Sequence, residues 1–208
     1  MKIKSSTEKT LVYFCLSMNK FLIVGLGNIG DEYKHTRHNI GFDVVSAFVL
    51  KHGAFFKLDR LAEVAEVKWK GRVFICIKPT TYMNLSGKAM KYWMDKEGVD
   101  ISRTLTIVDD MALPLSKLRL RGSGSDAGHN GLKDIQLTLG TDQYPKLRFG
   151  IGNQFPKGRQ VEFVLGKWLP DEQKIVQSKI EKSIEIIESF ATIGLEKTMS
   201  QVNNLNFL

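Results

Sequence analysis

Four short stretches hold the side chains with which this chain could do chemistry. In His35-Thr36-Arg37-His38-Asn39 an imidazole follows Asn28 by ten residues, and Asn84, His129 and Asn130 add two more amides and a further imidazole downstream. An imidazole titrates near neutrality and can take a proton from water, whereas an amide can donate and accept at once. Asp109, in Val108-Asp109-Asp110, could accept from a histidine N–H and hold its tautomer. Each stretch also has a plainer reading. A loop histidine can be solvated, Asn84 can cap a helix, Asp109-Asp110 can form a turn or half of a magnesium site, and the glycines around His129 can simply be flexible.

Other chemistries are poorly supported. The chain has no G-x-S-x-G elbow, no H-E-x-x-H and no G-x-x-x-x-G-K-[ST], which disfavours a nucleophilic serine, a zinc-bound water and nucleotide hydrolysis. Gly25-Leu26-Gly27-Asn28-Ile29-Gly30 does fit the dinucleotide fingerprint G-x-G-x-x-G after an apolar run. A cofactor site needs a helix directly after the third glycine and an acidic residue about 20 positions on. Here the polar DEYKHTRHN follows, and residues 46–50, SAFVL, contain no carboxylate. The glycines are therefore expected to form a tight turn that brings the backbone and Asn28 to a substrate, with no cofactor and no metal.

The elements that must position these residues follow from periodicity. Apolar runs with strand character lie at 21–25, 63–69, 72–78, 105–109, 117–121 and 147–151, and helical patterns near 40–52, 85–97, 131–139 and 171–193. Their alternation predicts an α/β fold, a single domain with a twisted sheet flanked by helices. The Lys70-Gly71 step reads as a hairpin, so the sheet should be mixed. In the last helix Ile175, Val176, Ile180, Ile184, Ile187 and Phe190 mark the packed stripe, bounded by Pro170-Asp171 and Gly194. The final NNLNFL carries no signal.

The 208 residues, 43% of them apolar, suit one core. Cys15 and Cys76 form no C-x-x-C pair, which with no disulfide framework indicates a reducing, cytoplasmic setting. The net charge of +8 points to a polyanionic partner, and it is localised: from Lys117 to Arg159 eight cations accompany only Asp126, Asp134 and Asp142. Residues 1–17 read as an N-terminal extension or a start placed too early, because the apolar patch Leu11–Leu16 is short for a signal peptide and Met18 immediately precedes the first strand. No run is long enough for a membrane helix.

The pieces VGLGNIG (24–30), YKHTRHNIG (33–41), KPTTYMNLSGKA (78–89), VDDMALP (108–114), AGHNGLKD (127–134), LRFGIG (147–152) and FVLGK (163–167) occur in the order found in bacterial peptidyl-tRNA hydrolases, which the chain closely resembles over about residues 20–200. The resemblance implies a monomeric, cofactor-free esterase of phosphorylase/hydrolase-like fold that splits the ester between a peptide and the 3′-terminal ribose of tRNA, recycling tRNA from aborted translation. It implies His38 as general base, Asp109 as its orienting carboxylate, and Asn28, Asn84 and Asn130 as amides holding the peptide portion. Tyr33 and Tyr82 would lie by the acceptor end and stack on the CCA terminus, and Met83 and His129 would be among the substrate- and tRNA-binding residues. Arg121 and Arg148 would clamp the 5′-phosphate; the family often has lysine at the position of Arg121, and arginine preserves the contact. Ala112 stands where relatives carry an acidic residue, which puts a peripheral contact in doubt. The alternatives are a non-catalytic RNA-binding protein on the same scaffold, which has no need of a base and its orienter, and a nucleotide-dependent oxidoreductase.

Overall fold

A computed structural model describes residues 19–207; the expectation for residues 1–17 lies outside them. The four apolar runs that the sequence marks most strongly form the parallel centre of the sheet: β1 (Lys20–Gly25), β4 (Arg72–Pro79), β5 (Thr104–Asp110) and β7 (Lys146–Gly150). Strands covered on both faces need no polar side, which is why β1 and β4 are nearly continuous in apolar residues, whereas β7 alternates Lys146 and Arg148 with apolar neighbours. The full order is β2-β3-β4-β1-β5-β7-β6, with β2 (Lys57–Asp59), β3 (Ala62–Trp69) and β6 (Leu118–Arg121) antiparallel to their neighbours. The mixed sheet is as the hairpin implied. Lys70 and Gly71 connect β3 to β4 with φ values of 45° and 73°, the mirror-image two-residue turn whose twist matches the strands.

Helices cover both faces. On one side α1 (Ile40–Lys51), α5 (Pro170–Ile193) and α6 (Leu195–Val202) pack Val44, Phe48, Ile187 and Phe190 against Ile23, Ile107 and Phe149. On the other, α2 (Ser86–Glu97) and α3 (Asn130–Leu139) bring Met90, Trp93 and Ile135 onto Leu22, Val24 and Val108. The strand's alternation therefore separates the paired aspartates that end β5. Asp109 leaves toward the α1 side and Asp110 toward the α3 side.

Three elements go beyond the sequence reading. β2 is a three-residue edge strand exposed at every position, so no buried face marks it. α4 (Gln160–Val164) is five residues long, too short for a periodic stripe. α6 follows α5 directly through Gly194. The last residues, silent as sequence, finish the sheet edge. The Asn203 amide bonds the backbone N–H and carbonyl of Leu120 at 2.8 and 3.1 Å, and the Phe207 N–H donates to the Ser116 carbonyl.

Candidate active site

The site forms at the carboxyl ends of β1, β4 and β5, where loops of an α/β sheet can converge. A cleft of about 510 Å³ opens there, lined by Asn28 from the loop after β1, His38 from the turn before α1, Tyr82 to Asn84 after β4, and Asp109 of β5. His129 and Asn130 at the start of α3, and Arg148 of β7, complete the residues that the sequence singled out. Tyr33 and Arg121 are not among its walls. Tyr82 is 73% exposed at the mouth, whereas Met83 is buried beneath it.

His38 and Asp109, 71 residues apart, meet directly. The Nδ1–H of His38 donates to both oxygens of Asp109, at 3.0 and 3.1 Å, which leaves Nε2 as the open nitrogen of a ring that lines the cleft. Burial works to lower the pKa of His38, but the charge and hydrogen bond of Asp109 outweigh it and hold the imidazole above its usual 6.5. For Asp109 burial likewise opposes ionisation, and the two imidazoles beside it overcome that and hold it well below the usual carboxylate range.

The second imidazole is His129. Its Nδ1 accepts from the backbone N–H groups of Gly131 and Leu132 at 3.1 and 3.4 Å, capping α3, so its proton sits on Nε2 and is donated to Asp109 at 3.0 Å. Both ring nitrogens are thus committed within the protein. The ring that the motif offered to a substrate instead supports Asp109, its centroid 4.8 Å from that of His38. The other two histidines play no part here: His35 bonds Asp43 at the surface and His52 bonds Glu188.

Potential ligand atoms of His38, Asp109 and His129 lie within 4.8 Å of one another, as a metal site would require. The nitrogens facing Asp109 are engaged as donors, so a cation would have to displace both histidine–carboxylate hydrogen bonds. The arrangement is that of a hydrogen-bonded chain.

Asn28 is placed by a residue that the sequence reading left unassigned. The Oδ1 of Asn39 accepts from the Asn28 N–H at 2.8 Å and its Nδ2 donates to the Asn28 carbonyl at 2.9 Å, a two-point grip on the backbone by a side chain 3% exposed. Asn39 directly follows His38, so base and amide share one anchor. Adjacency in Thr36-Arg37-His38-Asn39 was the only signal. The side-chain amides of Asn28, Asn84 and Asn130 make no hydrogen bond among the described residues, which frees all three for a ligand.

The glycines act by close approach. A Cβ on Gly25 would lie 2.3 Å from the Gly41 carbonyl oxygen, and one on Gly41 would lie 2.4 Å from the Leu26 nitrogen and 2.5 Å from the Ile107 oxygen. Without side chains at both, α1 settles directly on β1 and β5 and delivers His38 to Asp109. Of the glycines in Gly25-Leu26-Gly27-Asn28-Ile29-Gly30 only Gly30, φ 119°, needs a glycine's conformation.

Arg148 is buried, its guanidinium bonded to Asp110 at 3.1 Å and to the Ser125 carbonyl. Arg121 is exposed on the neighbouring strand, where Arg119 pairs with Arg148 and Arg121 with Lys146, so the four cations share one face. Burial, then the Arg148 charge, pull Lys146 down to about 8. Lys117 is spent elsewhere, donating to the Leu205 carbonyl at 3.0 Å. A further wall, Gln160, Val161, Val164 and Leu165 of α4 and its end, carries no sequence signal beyond the FVLGK match.

Among the described residues, no serine, threonine or cysteine lines the cleft. A histidine–carboxylate pair beside free amides, at the carboxyl end of a mixed sheet in one α/β domain, can activate water toward a carbonyl and is an arrangement a hydrolase can use. The sequence profile of the peptidyl-tRNA hydrolase family matches residues 22–207. The chain is 51% identical over 184 residues to a peptidyl-tRNA hydrolase of Phocaeicola vulgatus, covering 88% of this chain and 98% of that one, and 50% identical to one of Cytophaga hutchinsonii with the same coverage. Its fold matches the crystal structure of peptidyl-tRNA hydrolase from Acinetobacter baumannii with a TM-score of 0.85 and 31% identity, covering 91% and 97% of the two chains. The chain belongs to the peptidyl-tRNA hydrolase family and is a carboxylic ester hydrolase. No helix among the described residues is long and apolar enough to cross a membrane.

Proposed function

We propose that this chain cleaves the ester between a peptide and the 3′-terminal ribose of tRNA, using water activated by His38, and so recycles tRNA from stalled or aborted translation. It acts as a cytoplasmic monomer without cofactor or metal. The observation that carries the reading is the open Nε2 of His38, set by Asp109, in a cleft with three free amides and no serine, threonine or cysteine among its described lining residues. Water held at Nε2 gives up a proton as it attacks the ester carbonyl, and the imidazolium so formed is stabilised by Asp109. As the carbonyl–ribose bond breaks, the same proton goes to the departing ribose oxygen, which leaves as a hydroxyl.

Asn28, Asn84 and Asn130 hold the peptide unit, since amides match its donors and acceptors and would distinguish it from a free aminoacyl group. Tyr82 stacks on the CCA end, with Tyr33 farther along the acceptor. Arg121 meets the 5′-phosphate together with Arg148, which Asp110 and Ser125 hold in one orientation. The test is incubation with N-acetyl-aminoacyl-tRNA and with unblocked aminoacyl-tRNA. Faster release from the first supports the reading, and equal rates or no release from either overturn it.

A further inference from the structure

Arg37, immediately before His38, is buried with its guanidinium between two aromatic rings, 4.5 Å from the centroid of Phe163 and 5.1 Å from that of Trp168. Its Nη1 donates to the Lys167 carbonyl at 2.8 Å and its Nη2 to the Glu172 carboxylate at 2.6 Å. Its backbone N–H donates to the Gly166 carbonyl at 3.0 Å, and Thr36 bridges to Lys167. All these partners lie in residues 163–172, the segment running from the α4 wall of the cleft into the first turn of α5. The Glu172 carboxylate is shared, because it also accepts from the Leu169 N–H at 2.8 Å. α4 in turn packs on the Arg37–Asn39 turn. The Nε–H of Arg37 is buried without a partner among the described residues, an unfavourable arrangement that the surrounding contacts must outweigh.

We infer that Arg37 is a positioning residue for ester cleavage: it fixes the α4 wall against the turn that carries His38, so that the peptidyl ester meets base and wall at one spacing. An arginine suits this because its planar fork can bond two partners in different directions while its faces stack on rings, which lysine cannot do. The inference rests on the proposed reaction at His38. A loosened wall would weaken contact with the peptide at Val161, Val164 and Leu165. It would also admit water around His38. Water there would relieve burial and screen the Asp109 charge that outweighs it, bringing the imidazole from its raised value back toward 6.5 and moving the acidic limb of the pH–rate profile to lower pH.

Arg37→Lys and Glu172→Gln test this; the glutamine keeps an acceptor for the Leu169 N–H, so α5 stays capped. For N-acetyl-aminoacyl-tRNA both variants should show KM raised about tenfold, as loss of a charge-assisted bond implies. The acidic limb should move to lower pH, and trypsin should cut the Lys167–Trp168 bond faster. Affinity for uncharged tRNA should be unchanged. Folded variants with wild-type KM, acidic limb and tryptic rate would overturn the inference, as would a lowered Tm with those three readouts unmoved, which marks a purely structural residue. A wild-type enzyme that fails to cleave the substrate counts against the proposed reaction, and the tryptic rate then still decides whether Arg37 holds the wall.

Discussion

Replacing Asp109 with Asn keeps the side chain's shape and removes its charge. The two carboxylate oxygens accept from His38 Nδ1 at 3.0 and 3.1 Å, and one also accepts from His129 Nε2 at 3.0 Å. An amide offers one oxygen and one NH2 group to the same two imidazoles. With its oxygen in the shared position the amide can still accept from both rings, but its NH2 group then faces His38 Nδ1 where the second oxygen accepted, and if His38 changes tautomer to relieve this it presents an N–H to the cleft where a lone pair is needed. The charge matters separately. The carboxylate is what lifts His38 above its usual 6.5 against burial, so without it burial prevails and the imidazole becomes a weaker base. A positioned general base contributes about 10²–10⁴-fold. Losing it corresponds to about 3–5 kcal/mol of barrier at ~1.36 kcal/mol per tenfold. The assay is kcat for N-acetyl-aminoacyl-tRNA from about pH 5 to about pH 9 at saturating substrate. Asp109→Asn should lose about 10²–10⁴ in kcat and carry its acidic limb to lower pH. A kcat within about threefold of wild type with the limb in place would refute the reasoning, because both the tautomer and the charge arguments would have failed.

Three further outcomes are expected. Gly41→Ala would drive a Cβ against backbone atoms of Leu26 and Ile107 that no rotamer change can relieve. It should cost about 1–3 kcal/mol, read as a Tm lower by about 2–4 °C per kcal/mol, with a fall in kcat as α1 carries His38 away from Asp109. Arg121→Ala should raise KM and flatten its dependence on salt, lowering the slope by about 0.7–0.9 for one lost phosphate contact; an unchanged KM at low and moderate salt would misplace the clamp. Lys179, held by the carbonyls of Leu115 and Gly150, is pulled by burial from 10.5 down to about 6. Between those values the unfolded chain keeps a proton that the folded chain has released, so stability rises with pH there. Relative to Lys179→Met, the wild type should gain stability from about pH 6.5 to about pH 9 in urea denaturation, and parallel curves would contradict it.

What could be read from the sequence follows from what leaves a local mark. β1, β4 and α5 announce themselves because a doubly covered strand is apolar along nearly its whole length and a packed helix repeats its stripe. Lys70-Gly71 announces its turn because few residue pairs tolerate two positive φ values. His38, Asp109 and the three asparagines could be picked out from motifs whose residue types suit the chemistry. The geometry that organises them could not. The grip of Asn39 on Asn28 is a side-chain-to-backbone pairing, and nothing in the letter N separates it from a substrate-binding amide. His129 shows the same ambiguity, since an imidazole that caps a helix and supports a carboxylate has the same letter as one that meets a ligand. The glycines mislead in another way. A turn and a close approach both call for glycine, and only the contact between Gly25 and Gly41 separates them. α4 and β2 are too short or too exposed to carry a period, and the tail's pairing with β6 is a contact across 83 residues.

The most direct test is His38→Ala with two readouts on one preparation: turnover of N-acetyl-aminoacyl-tRNA and equilibrium binding of uncharged tRNA. His38 acts on water and its imidazole touches no phosphate in the proposed reaction. Cleavage should therefore be abolished while tRNA affinity stays near wild type. Near-wild-type turnover in the folded variant would contradict the central claim that His38 is the base.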